Sequence, residues 1–113
     1  MLTDTKKGLE LLNGELRLTS NLFDCDALVF EDSQIDSVTL KSKTSDKGIE
    51  LLCNNWPYFG IWSKPGCQEF ICLEPWYGIA DSVNSTNELK NKKVIIQLKP
   101  EEEFDCGFSV RLF

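Results

Sequence analysis

The sequence predicts an all-β chain, a sandwich or barrel of about eight short strands. Three observations carry that expectation. Short apolar runs alternate with turn signals, no amphipathic stretch of helical length follows the first residues, and the spacing of the runs is close and regular. At 113 residues, with 42% hydrophobic and 27% charged residues, the chain has a globular balance and the length of one domain over residues 1–113. A chain of this size buries roughly 65% of its unfolded surface, enough for a hydrophobic core.

The elements follow in order. Leu9-Glu10-Leu11-Leu12 and Glu15-Leu16-Arg17-Leu18 flank Asn13-Gly14, a pair that accepts the positive φ angles of a tight I′ turn, so a β-hairpin is expected. The alternative is a short helix over residues 6–12 capped by Asp4. Ala27-Leu28-Val29-Phe30 reads as a buried strand, and Ser37-Val38-Thr39-Leu40-Lys41 alternates as a half-exposed one. A turn at Thr44-Ser45-Asp46-Lys47-Gly48 leads into Gly48-Ile49-Glu50-Leu51-Leu52-Cys53. Tyr58-Phe59-Gly60-Ile61-Trp62 and Phe70-Ile71-Cys72-Leu73 are strands joined by a turn at Lys64-Pro65-Gly66. Residues 81–93 are polar and aperiodic, a loop. Val94-Ile95-Ile96-Gln97-Leu98 and residues 104–113 complete the strands, linked by Lys99-Pro100-Glu101.

Charge and composition exclude several function classes. A net charge of −6 repels polyanions, and no Lys/Arg cluster offsets it, so neither nucleic acid nor an anionic membrane surface is an expected partner. No segment approaches the ~20 apolar residues of a membrane span, and the start MLTDTKKGLE has no signal-peptide core. Five cysteines without an export signal point to the reducing cytoplasm, where they remain thiols. With no C-x-x-C spacing and no histidine, a metal site is disfavoured, and most of the thiols are expected to be buried and structural. Asn84-Ser85-Thr86 fits a glycosylation acceptor but reads, without a secretion signal, as an ordinary polar loop.

The stretch 54–81 holds all three tryptophans, both tyrosines and three of the four prolines. Aromatic faces pack on the C–H faces of a pyranose while carboxylates bond its hydroxyls, so the composition suits a sugar site. Taken alone, the aromatics are better explained as filling a small core, by roughly two to one given how often such residues are buried. Glu74 favours the sugar site: it closes the apolar run Phe70-Ile71-Cys72-Leu73 and precedes Pro75-Trp76-Tyr77-Gly78, where a partly desolvated carboxylate serves as a general base.

The segments Gly60-Ile61-Trp62-Ser63-Lys64-Pro65 and Phe70-Ile71-Cys72-Leu73-Glu74-Pro75-Trp76-Tyr77-Gly78-Ile79-Ala80-Asp81 resemble the C-terminal part of aldose 1-epimerase (galactose mutarotase)-like proteins. The match is to the bacterial branch with its glutamate in an E-P-W-x-G-I-A-D context. Leu22-Phe23-Asp24-Cys25-Asp26-Ala27-Leu28-Val29-Phe30 is similar to that branch's LF-x-x-D-A-L-I-F strand. Leu98-Lys99-Pro100-Glu101-Glu102-Glu103-Phe104 is similar to its L-x-P-G-E-x-F hairpin. The resemblance implies a truncated galactose mutarotase-like β-sandwich (supersandwich) binding a hexose without a cofactor. In it Glu74 takes the anomeric proton, Asp26 (or Asp24) holds sugar hydroxyls, and Trp62 and Trp76 line the pocket. The family's acid is a histidine from a part that would precede Met1, and this chain has none. Three readings follow: a sugar binder with little or no mutarotase activity, an active epimerase completed by another chain, and a non-catalytic structural or interaction module. Strand edges and a sheet face left uncovered by the shorter chain imply a homodimer.

Overall fold

The hairpin joining residues 37–52 follows its alternating pattern closely. In the computed structural model, which describes residues 5–67 and 69–113, β2 (Ser37–Lys41) pairs antiparallel with β3 (Gly48–Leu52). Val38 lies opposite Leu51 and Leu40 opposite Ile49, while Thr39 and Glu50 take the other face. β6 (Ser109–Leu112) adds to the far side of β3, with Val110 opposite Leu51 and Leu112 opposite Ile49. This sheet has the order β2-β3-β6 and one apolar face.

A second antiparallel sheet has the order β1-β4-β5, built from β1 (Leu28–Phe30), β4 (Tyr58–Trp62) and β5 (Cys72–Trp76). Leu28, Phe30, Phe59, Ile61, Leu73 and Pro75 share one face by register. From that face Phe59 and Ile61 join Leu51 of the first sheet, Cys53 just past the end of β3, and Phe23 as the buried core. Burying a side chain such as Phe59, 2% exposed, stabilises the fold by about 2–3 kcal/mol. Regular helix among the described residues is confined to a 3-10 turn at Leu89–Asn91.

Two tight turns form as their residues dictate. Asn13 (φ 53°) and Gly14 (φ 76°) close a reciprocal Leu12–Glu15 backbone pair, the I′ geometry expected of Asn-Gly. The amide of Cys67 donates to the Lys64 carbonyl across Pro65-Gly66, with Gly66 at φ 72°.

Other expectations are corrected. Six strands form among the described residues, where about eight were expected. The Asn13-Gly14 hairpin has a single bridge, and of its flanks only Leu16 reaches the core while Leu9, Leu11, Leu12 and Leu18 stay exposed. The helical alternative over residues 6–12 does not form, and its Asp4 cap lies outside the described residues. β1 is half-buried rather than buried, being an edge strand. Val94-Ile95-Ile96-Gln97-Leu98 is irregular: Val94 stands at φ 62°, outside the β region, and the run pairs with no other strand. Of residues 104–113 only Ser109–Leu112 is a strand, since the preceding part is held by aromatic contacts. Finally, Cys53 alone of the five free thiols is buried; Cys25 and Cys106 are exposed in irregular segments.

Candidate functional site

Glu74 lies in the middle of β5, not at the end of a strand. The sequence places Pro75 directly after it, and proline usually interrupts a ladder. Here it is accommodated because β5 is the outer strand of its sheet, where a missing N–H is tolerated. The strand thus begins and ends later than its apolar run, and the two-residue period puts Cys72, Glu74 and Trp76 on one face. Their partners on β4 are Trp62, Gly60 and Tyr58 respectively, so these six residues share that face.

Gly60 makes the arrangement possible. A Cβ built there would fall 2.5 Å from Cζ2 and 2.7 Å from Cη2 of Trp76, so the indole lies directly over the glycine. In that position its Nε1–H donates to Oε2 of Glu74 at 3.1 Å. A glycine inside the apolar run Tyr58-Phe59-Gly60-Ile61-Trp62 was the legible sign of such a close approach. The second neighbour of the carboxylate is Cys72: burial, then the hydrogen bond and charge of Glu74, push the Cys72 thiol above its ordinary pKa. A neutral thiol and an indole N–H are both donors, suited to holding an ionised carboxylate in one orientation.

Trp62 is partly buried at the opposite end of the same face. It packs against the core and tilts onto Phe70, ring centroids 5.8 Å apart. The buried Ser63 next to it donates to the Phe70 carbonyl at 2.7 Å, closing the base of the β4–β5 connection. Asp26 leads into β1 at the end of the sheet where Trp62 pairs with Cys72. It has φ 98°, and its Oδ1 accepts the Ala27 N–H at 2.8 Å. Both Asp26 and Asp24 are exposed. Glu74 and Trp76 are therefore in direct contact and Trp62 shares their face, whereas Asp26 lies ahead of β1, on the far side of β4 from Glu74.

The remaining aromatics divide differently. Trp56 meets Tyr77 (4.4 Å) and Phe108 (6.3 Å), Tyr77 meets Phe104 (4.9 Å), and Trp56 Nε1–H donates to the Gly107 carbonyl at 3.1 Å. This cluster ties the approach to β6 onto the ends of β3 and β5, a structural task. Among the described residues no group of three or more His, Cys, Asp or Glu side chains is placed to hold a metal ion. Among the described residues no helix is long and apolar enough to cross a membrane.

No protein-family model matches the chain. Over 97 residues, 86% of its length, it is 34% identical to the plasmid and the chromosomal Protein LacX of Lactococcus lactis subsp. lactis, covering 32% of each. Among solved structures it superimposes on a galactose mutarotase related enzyme from Lactobacillus acidophilus with a TM-score of 0.80 and 34% identity. That match covers 87% of this chain and 33% of the other. The chain spans about a third of the length of these relatives. Over that third, the chain has the fold of a galactose mutarotase related enzyme and is similar to it in sequence.

Proposed function

We propose that the chain binds a monosaccharide, a hexose, on the β4–β5 face, and that Glu74 is the general base of an aldose 1-epimerase-like site. The observation that carries the reading is the Glu74 carboxylate held by the Trp76 indole N–H over Gly60, beside an exposed-edged face that also bears Trp62. A positioned carboxylate accepts the proton of the anomeric hydroxyl as the C1–ring oxygen bond breaks. Rotation and reclosure on the other face of the carbonyl give the opposite anomer. The ring oxygen requires a proton donor, and the chain contains no histidine. One positioned acid or base contributes about 10²–10⁴-fold to rate, so this chain by itself is a sugar binder with weak mutarotase activity. Asp26, just before β1, is the carboxylate for sugar hydroxyls in this reading. Five free thiols fit a reducing compartment such as the cytoplasm.

Polarimetry of freshly dissolved α-glucose and α-galactose tests the base. The expected result is an acceleration over buffer far below that of ordinary enzymes, abolished in Glu74→Gln. An acceleration that survives Glu74→Gln would remove Glu74 from the chemistry.

A further inference from the structure

We infer that Trp76 is a positioning residue for Glu74, aiming the carboxylate through the indole N–H, a role that rests on the reading of Glu74 as the base of an aldose 1-epimerase-like site. The groups involved lie within two adjacent strands, β4 and β5, and touch one another directly. Their arrangement is therefore local and does not depend on what covers either sheet.

A glutamate side chain turns about three bonds, and ordering it costs conformational entropy. A general base must nevertheless stand within hydrogen-bond reach of the proton it takes. The sequence Glu74-Pro75-Trp76 restricts that freedom. Pro75 disfavours the helical region for Glu74, and its own ring fixes φ at about −65°. The backbone between the two side chains is thus stiff, and the strand period sets both on one face. Trp76 pairs with Tyr58, which is buried, yet its ring leans along the strand onto Gly60, the partner of Glu74. A side chain at position 60 would displace the ring, since even a Cβ there would fall 2.5 Å from Cζ2. Leaning this way, the indole brings Nε1 to 3.1 Å from Glu74 Oε2.

The bond runs in one direction only. An indole donates and never accepts, whereas an ionised carboxylate accepts and never donates. Cys72, two residues before Glu74 on the same face, adds a second donor: burial first, then the hydrogen bond and charge of Glu74, push its thiol above the ordinary pKa and keep it protonated. The other two indoles are engaged elsewhere, Trp56 on the Gly107 carbonyl and Trp62 against Phe70.

Polarimetry over a range of glucose and galactose concentrations, together with ¹⁵N–¹H spectra of the sugar-free chain, tests this. Trp76→Phe keeps an aromatic ring and removes the N–H. It should lower kcat by about tenfold to a hundredfold, the worth of a hydrogen bond to a charged group, with KM little changed. Gly60→Ala, which keeps Trp76 but displaces its ring, should lower kcat likewise, and the two changes combined should cost little more than either alone. In the sugar-free spectra the Trp76 Nε1–H resonance should move upfield in Glu74→Gln while that of Trp56 stays, a readout that leaves position 76 unaltered. A Trp76→Phe chain with the parent's kcat, its acceleration still abolished by Glu74→Gln, overturns the proposal and leaves the base standing. A loss confined to KM also overturns it, as does a sugar-free resonance indifferent to Glu74→Gln. An acceleration that survives Glu74→Gln, or none in the parent chain, instead removes the base itself and the role of Trp76 with it.

Discussion

Substitution of Gly60 by alanine tests the geometry around Glu74 with one methyl group. The new Cβ would lie 2.5 Å from Trp76 Cζ2, where ordinary contact is about 3.5–4.0 Å. The indole must withdraw by about 1 Å, which stretches its 3.1 Å bond to Glu74 beyond hydrogen-bonding range. Overpacking of this kind costs about 1–3 kcal/mol, and loss of a hydrogen bond to a charged group about 1.5 kcal/mol at a half-buried site. Restricting the unfolded backbone offsets about 0.5–1 kcal/mol. Gly60→Ala should therefore destabilise the chain by about 1.5–4 kcal/mol, a fall of about 1–2 M in the urea midpoint. Far-UV circular dichroism at fixed protein concentration reads this without relying on tryptophan. In a Trp76→Ala background the three atoms nearest the new methyl are gone, and the same substitution should cost far less. A Gly60→Ala protein as stable as the parent in both backgrounds would refute the stacked indole and the orientation it gives Glu74.

Two further outcomes follow from local physics. Glu101 occupies the third position of the turn closed by Glu102 N–H on the Lys99 carbonyl, at φ 67°. Left-handed backbone costs a non-glycine residue about 1–2 kcal/mol, so Glu101→Gly should raise stability by up to about 1 kcal/mol after glycine's own entropy, read as a higher urea midpoint. The Cys53 thiol is pushed above its ordinary pKa of 9.0, first by burial and then by the charge of Asp36. The unfolded chain therefore loses that proton at lower pH than the folded one. This contribution is complete below about pH 9 and declines as pH rises through the folded value. Urea midpoints at pH 8 and pH 10 should fall less steeply in Cys53→Ala, and an unchanged slope would contradict the assignment.

Much of the fold was legible because local and tertiary demands agree. Tyr58–Trp62 and Ser37–Lys41 form over the expected residues, and Asn13-Gly14 and Pro65-Gly66 make the turns their backbone preferences require. β5 was displaced because Pro75 reads as a stop, and only the strand order shows that it lies at a sheet edge. Val94-Ile95-Ile96 has strand composition but no partner to pair with, and pairing is not a local property. At the site, the Glu74 motif was visible, whereas its contact with Trp76 depends on the register of two strands. Gly60 marked that contact in the sequence, though a strand glycine alone does not name the ring that covers it. Trp56 and Tyr77 could not be separated from Trp62 and Trp76 by composition. Their place in a cluster with Phe104 and Phe108 comes from the chain's return at its C-terminal end.

If a sugar occupies the face on which Glu74 and Trp76 meet, as proposed, the indole N–H between them is a direct reporter. In ¹⁵N–¹H spectra of the full chain, the Trp76 Nε1–H resonance, assigned by its loss in Trp76→Phe, should shift saturably on titration with glucose or galactose. The Trp56 resonance, held on the Gly107 carbonyl, should stay still. In Glu74→Gln the sugar-induced shift should weaken or vanish. A Trp76 resonance unmoved by either hexose at concentrations up to hundreds of millimolar would rule out a sugar on this face.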